Sequence, residues 1–240
     1  MRGVILAGGF GTRLRPLTYV TNKHLLPVYN KPMIYYPINT LVQAGIKDIL
    51  VIVSGPHSGN FLPILKNGKE FGINHLEFAY QEEGDKGIAD ALSLAKDFAN
   101  NDNITVILGD NTMDADYSLT QCIHNFKSGS HIFLKKVKNP EDFGTAVVEN
   151  NKIKCIVEKP KTFISDLAVI GMYLFDNKVF EYIDNISPSE RNQLEIVDVI
   201  NQYRLANTLN YSTIDFFWQD AGTFDALYLA NKYWYEKELC

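Results

Sequence analysis

RGVILAGGFGTRLRP, residues 2–16, decides how the chain is read. Val4 to Ala7 form a short apolar run that ends in glycines, the mark of a strand buried on both faces of a parallel sheet. Behind it stand Gly8, Gly9 and Gly11, then Arg13 and Arg15, with no acid nearby. A glycine-rich turn after a strand lets several backbone N–H groups approach one anion. Two familiar phosphate cradles do not fit this one. The dinucleotide fingerprint GxGxxG, started at Gly9 and Gly11, meets Leu14 where its third glycine belongs, and GxxxxGK[ST] is absent. What remains is a loop that supplies its own cations, Arg13 and Lys23.

The charge pattern around the loop points the same way. Net charge is −5 over 240 residues, which argues against a nucleic-acid binder. Yet residues 1 to 47 hold six basic residues, Arg2, Arg13, Arg15, Lys23, Lys31 and Lys47, and no acid at all. A local positive field in an acidic protein suits a compact polyanion.

Alternation of strands and helices continues down the chain. The sequence predicts a helix over Lys31 to Ala44 closed by Gly45, strands at 48–54 and 75–80, a helix over Lys86 to Ala99, and a strand at 104–109 running into Asp110. Such an order implies an α/β fold, a mainly parallel sheet flanked by helices. After residue 130 strand-like runs crowd together (HIFLKKV, TAVVE, KIKCIVE, AVIGMYLF), which predicts a small β-rich lobe, followed by helices near 192–205 and 224–238. With 46% hydrophobic residues, no repeat and no low-complexity linker, one domain over 1–240 is expected.

Other classes drop out. The run Val4 to Ala7 is too short for a signal peptide, and no segment approaches the roughly 20 apolar residues needed to span a bilayer. Cys122, Cys155 and Cys240 are widely spaced and form no CxxC pair, which argues against zinc or a disulfide framework and for a cytoplasmic protein.

LAGGFGTRLRPLT (6–18), with NKHLLPVYNKPMIYYPINTL (22–41) behind it, resembles the sugar-nucleotide pyrophosphorylases, a nucleotidyltransferase family, and within it the short-form glucose-1-phosphate thymidylyltransferases. The likeness continues through LGDN (108–111), NPEDFGT (139–145), EKPK (158–161), AVIGMYLFDNKV (168–179), SERNQLEIVDV (189–199) and WQDAGTFDAL (218–227), and so covers nearly the whole chain. It implies a Rossmann-like sheet with a nucleotide-binding part at about 1–130 and a sugar-binding part at about 131–240. It also implies Mg²⁺-assisted transfer between dTTP and glucose 1-phosphate for deoxysugar and cell-surface glycan synthesis, in a homo-oligomer, dimer or tetramer.

The resemblance assigns roles residue by residue. Leu6, Gly8, Gly9, Gly11, Thr12, Arg13, Lys23, His24, Gln81, Gly87 and Asp110 match nucleotide-binding positions, with Arg13 and Lys23 on the phosphates and Gln81 and Gly87 reading the base. Asn111, Gly144, Glu158, Lys159, Gly171, Arg191 and Trp218 match the sugar-phosphate side, Glu158 holding hydroxyls and Lys159 and Arg191 the phosphate. Arg13, Lys23, Asp110 and Lys159 carry the catalysis, and Asp110 and Asp220 the metal. His24 stands where the family often has Gln, and Ala221 and Ile170 where Thr is commoner. The spacing between Gln81 and Gly87 holds one residue more than in those thymidylyltransferases. Longer relatives add C-terminal helices that build a regulatory nucleotide site, so feedback through such a site is expected to be absent or reduced here. Rival readings are the same reaction with UTP, CTP or another hexose 1-phosphate, and a non-catalytic relative. An oxidoreductase is undercut by Leu14.

Overall fold

Strands Arg2–Ala7 and Asp48–Ser54 lie parallel, with Gly3 opposite Ile49 and Ala7 opposite Val53, and nearly every residue of both is buried. This is the environment that continuous apolar runs demand. His75–Gln81 pairs in parallel with Asp48–Ser54 at one end of the sheet and is more exposed than that neighbour, with only Gln81 buried, as befits an edge strand. The computed structural model describes residues 1–239; Cys240, one of the three cysteines, lies outside the described residues.

The chain divides into two compact units that interleave in sequence. One is built from Arg2–Asp85, Ile107–His124 and the segment from Phe216 onward. Its parallel strands all end on one side, at Ala7, Ser54 and Gln81, and Gly109 at the end of Ile104–Leu108 joins them by donating its N–H to the Leu6 carbonyl at 2.8 Å. Ligands of open α/β sheets bind beyond such carboxyl ends. The helix Tyr35–Gln43 is shorter than predicted, because Lys31–Pro32 pairs as a short strand with Pro27–Val28. Pro37 sits in its first turn, where a missing N–H costs nothing, and Gly45 closes it with an N–H to Val42 at 2.9 Å. The last helix, Phe224–Glu238, starts where predicted; Thr223 caps it by accepting the Ala226 N–H. It packs Leu227, Ala230 and Trp234 on Leu14, Leu26, Met33 and Tyr36.

The other unit holds Lys86–Val106 and Asn125–Asp215. Its strands are mostly antiparallel: Leu167–Phe175 against Ser130–Lys136, and Gly144–Glu149 against Lys152–Glu158. Leu209–Thr213 adds a parallel strand on Ser130–Lys136. This is the β-rich texture read from the sequence. The helix expected from 192 begins only at Ile196, because Asn192 takes a positive φ of 58° and Ser189 and Gln193 tie the preceding segment into a turn. The run from Lys86 breaks into Ile88–Ser93 and Lys96–Ala99. No helix among the described residues is long and apolar enough to cross a membrane.

Candidate active site

The glycine loop is pinned on the first unit. The Gly9 N–H donates to Ser54 Oγ at 2.8 Å, and the Thr18 hydroxyl donates to the Gly11 carbonyl at 2.8 Å. Gly11 has φ 60°, and a Cβ there would lie 2.8 Å from the Thr18 methyl carbon. Both facts require glycine. Gln81, buried at the end of the edge strand, brings Oε1 to 3.1 Å from where a Cβ of Gly8 would stand. Thr12 and Arg13 follow in a single 3₁₀ turn, Thr12–Leu14, with Leu14 anchored in the core and Leu6 buried in the strand before it.

Asp110 is the hub. Its Oδ2 accepts from Lys23 Nζ at 2.6 Å and its Oδ1 from Asn111 Nδ2 at 3.1 Å. Asn111 is held in turn by the indole N–H of Trp218, which donates to its Oδ1 at 2.6 Å. Burial alone would raise the Asp110 carboxyl, but the charges of Lys23 and the bonds to it hold it well below the usual carboxylate range. Asn111–Met113 pairs antiparallel with Trp218–Asp220, placing Asp220 opposite Asn111, and the Ala221 N–H donates to the Asp110 carbonyl at 2.8 Å. Two carboxylates distant in sequence are thereby neighbours. Burial, then the charge of Asp110, pushes Asp220 up to about 6. Arg13 belongs to the same group: a Cβ on Gly222 would lie 2.8 Å from both Arg13 Nη2 and Asp220 Oδ1.

Such a pair has the chemistry of a divalent-cation site. All its donors are oxygens, and the repulsion felt by Asp220 is what a cation would relieve. Among the described residues no group of three His, Cys, Asp or Glu is assembled to hold a metal. A hard ion such as Mg²⁺ fits these two carboxylates when phosphate oxygens or water complete its shell.

His24 is buried, and its Nδ1 lies 2.7 Å from Asn22 Oδ1, which also accepts the His24 N–H. Burial, then the charge of Lys23, pushes its pKa down to about 3, so the ring is neutral. It packs against Gly109, where a Cβ would come within 2.8 Å of the ring.

The residues matched to the sugar side gather mainly in the second unit. Glu158 ends Lys152–Glu158, and Gly144 begins the strand opposite; a Cβ there would sit 3.2 Å from Glu158 Oε2. Arg191 reaches Glu158 Oε1 from Nη2 at 3.2 Å. Burial raises the Glu158 carboxyl, with Arg191 pulling it back. Lys159 has φ 43° and donates its N–H to the Phe143 carbonyl at 3.0 Å. Gly171 lies in Leu167–Phe175 where the register with Ser130–Lys136 shifts. Gly87 also belongs to this unit; its φ is 103° and a Cβ would strike the Leu194 carbonyl at 2.4 Å. Asn111 and Trp218, matched to the sugar side, lie instead in the first unit and support Asp110.

The sequence profile described as Nucleotidyl transferase matches residues 2–237. The chain belongs to the nucleotidyl transferase family. A glucose-1-phosphate thymidylyltransferase of Neisseria meningitidis is 41% identical to this transferase over 97% of the chain and 82% of the relative. One from Mycolicibacterium smegmatis is 40% identical with the same coverage. A Bacillus anthracis protein, solved with sucrose as a candidate glucose-1-phosphate thymidylyltransferase, superposes with TM-score 0.91 at 45% identity over 97% of this chain and 94% of its own. A UDP-glucose pyrophosphorylase solved with UDP-glucose shares the fold, with TM-score 0.83 at 22% identity over 98% of each chain. The fold is thus the mixed α/β arrangement of nucleotidyltransferases, a mainly parallel central sheet flanked by helices. The transferase is an enzyme of sugar-nucleotide synthesis.

Three residues of the site were not found from the sequence. Ser54 and Asn22, which hold Gly9 and His24, gave as their only signal a polar residue at a strand end and before a turn. Glu195, which grips Arg191, gave none.

Proposed function

We propose that the protein is a glucose-1-phosphate thymidylyltransferase, converting dTTP and glucose 1-phosphate to dTDP-glucose and pyrophosphate in the cytoplasm. The observation that carries the chemistry is the grouping of Lys23, Asp110, Asp220 and Arg13 beyond the strand ends and beside the glycine loop. The nucleotide and sugar rest on relatives at about 40% identity over most of the chain.

In this reading a phosphate oxygen of glucose 1-phosphate attacks the α-phosphorus of dTTP in line. One P–O bond forms, the bond between the α-phosphorus and the bridging oxygen to the β-phosphorus breaks, and pyrophosphate leaves with that oxygen. No covalent enzyme intermediate is needed, and two anions must be held together, so positioning and charge neutralisation carry the catalysis. Backbone N–H groups of the glycine loop, other than that of Gly9, which holds Ser54, cradle the triphosphate. Arg13 and Lys23 bind its phosphates and stabilise the leaving group. Gln81 offers the pyrimidine edge both a donor and an acceptor. Glu158 accepts from sugar hydroxyls, and Lys159 and Arg191 bind the sugar phosphate. Asp110 and Asp220 would hold Mg²⁺, which when bound neutralises phosphate charge.

The test is pyrophosphate release with Mg²⁺ and glucose 1-phosphate, comparing dTTP, UTP, CTP, ATP and GTP. A preference for dTTP with dTDP-glucose as product upholds the reading. Preference for another nucleotide keeps the reaction and moves the substrate. No turnover in a folded protein that still binds nucleotide overturns it.

A further inference from the structure

Glu195 is only 6% exposed, yet it stands at the N-cap of the helix Ile196–Leu205 without making a cap hydrogen bond. A buried acid in a capping position that does not cap must be held by something else. Its two oxygens are both taken by Arg191, Nε to Oε1 at 3.1 Å and Nη2 to Oε2 at 2.8 Å, and Oε1 also accepts the Ser189 hydroxyl at 2.7 Å. The Arg191 N–H donates back to Ser189 Oγ at 3.2 Å. This is a two-pronged fork on a planar guanidinium, the geometry that fixes orientation best.

The fork has a consequence beyond its own strength. Nη2 is shared between Glu195 and Glu158 Oε1, so the group that grips Glu195 also aims Glu158. Of the five N–H donors of Arg191 three are engaged in these bonds, all from Nε and Nη2, and the Nη1 edge makes none of them. One buried carboxylate therefore sets both the hydroxyl-accepting acid and the edge of the guanidinium left for an anion.

We propose that Glu195 is a positioning residue for the sugar 1-phosphate, acting through Arg191 to hold Glu158 and the Nη1 edge in binding geometry. This rests on the substrate reading given above.

The test is a double-mutant cycle on the whole enzyme, with KM for glucose 1-phosphate, KM for dTTP, kcat and melting temperature measured together. Binding of glucose 1-phosphate is also followed by its shift of the melting temperature. Glu195→Ala is expected to raise KM for glucose 1-phosphate about tenfold, the scale of one charged hydrogen bond, with kcat and KM for dTTP changed less than about twofold. Glu195→Gln, which keeps the length and one acceptor, recovers part of the loss. Arg191→Lys cannot fork and gives a similar rise, and the double variant is no worse than the more affected single one. A merely structural Glu195 lowers melting temperature and apparent kcat and leaves KM alone, which overturns the proposal. So do additive effects of about a hundredfold in the double variant. A wild-type enzyme that neither binds nor turns over glucose 1-phosphate fails differently, and removes the substrate reading together with this inference.

Discussion

Lys23 Nζ lies 2.6 Å from Asp110 Oδ2, with side chains 16% and 8% exposed, so the cation expected on the triphosphate is paired with an aspartate expected on the metal. Lys23 and a divalent ion must compete for that oxygen. Lys23→Met is therefore expected to bind Mn²⁺ about tenfold more tightly than the parent when nucleotide is absent, as followed by electron paramagnetic resonance. Turnover falls on the order of a hundredfold or more in the same variant, because a phosphate contact is gone. Unchanged Mn²⁺ affinity would remove the competition.

Asp220 gives a pH-dependent prediction. Its folded carboxyl titrates at about 6, above the unfolded value near 3.8, because of burial and then Asp110. A carboxyl raised in this way costs stability above both values, and the cost fades as pH falls from about 6 to about 4. In EDTA, Asp220→Asn is expected to melt higher than the parent at pH 8 and at the same temperature at pH 4. Equal melting temperatures at pH 8 would contradict the strained pair.

His24 acts in the opposite sense. With its folded value near 3 against 6.5 unfolded, through burial and then Lys23, the neutral ring is favoured by the fold and stability falls as pH drops from about 6.5 toward 3. The slope from this one group is about 1.4 kcal/mol per pH unit at most. His24→Gln, with no ring to protonate, is expected to flatten that part of a melting curve against pH and to retain turnover.

The parts of the fold visible in the sequence are those with local causes. Val4–Ala7 and Ile49–Val53 are continuous apolar runs because both faces are covered, and Gly45 and Thr223 mark helix ends by their own chemistry. Tyr117–Asn125 is not legible as a helix in the sequence because only Leu119 and Ile123 are buried on it, too few to form a stripe. The pairing of Asp220 with Asn111 depends on two short strands distant in sequence, and no local pattern encodes it. Only the resemblance foresaw that Asp110 and Asp220 meet. Arg191 stands in the turn before Ile196–Leu205 and Glu195 at its N-cap, and nothing local in the sequence marks this acid as buried against that guanidinium.

Gly11→Ala is expected to cost about 1–2 kcal/mol of stability, since the added carbon meets both a left-handed φ and the Thr18 methyl group. The same change shifts the loop and raises KM for dTTP. Chemical denaturation and steady-state kinetics check the two effects separately.

The account stands on Asp110 and Asp220 acting together at one phosphate site. The most direct measurement is pyrophosphate release by Asp110→Asn, with folding checked by circular dichroism and nucleotide binding by calorimetry. A folded protein that still binds dTTP but has lost activity by about a hundredfold or more is the predicted result. Full activity in that variant would contradict the assignment of the site.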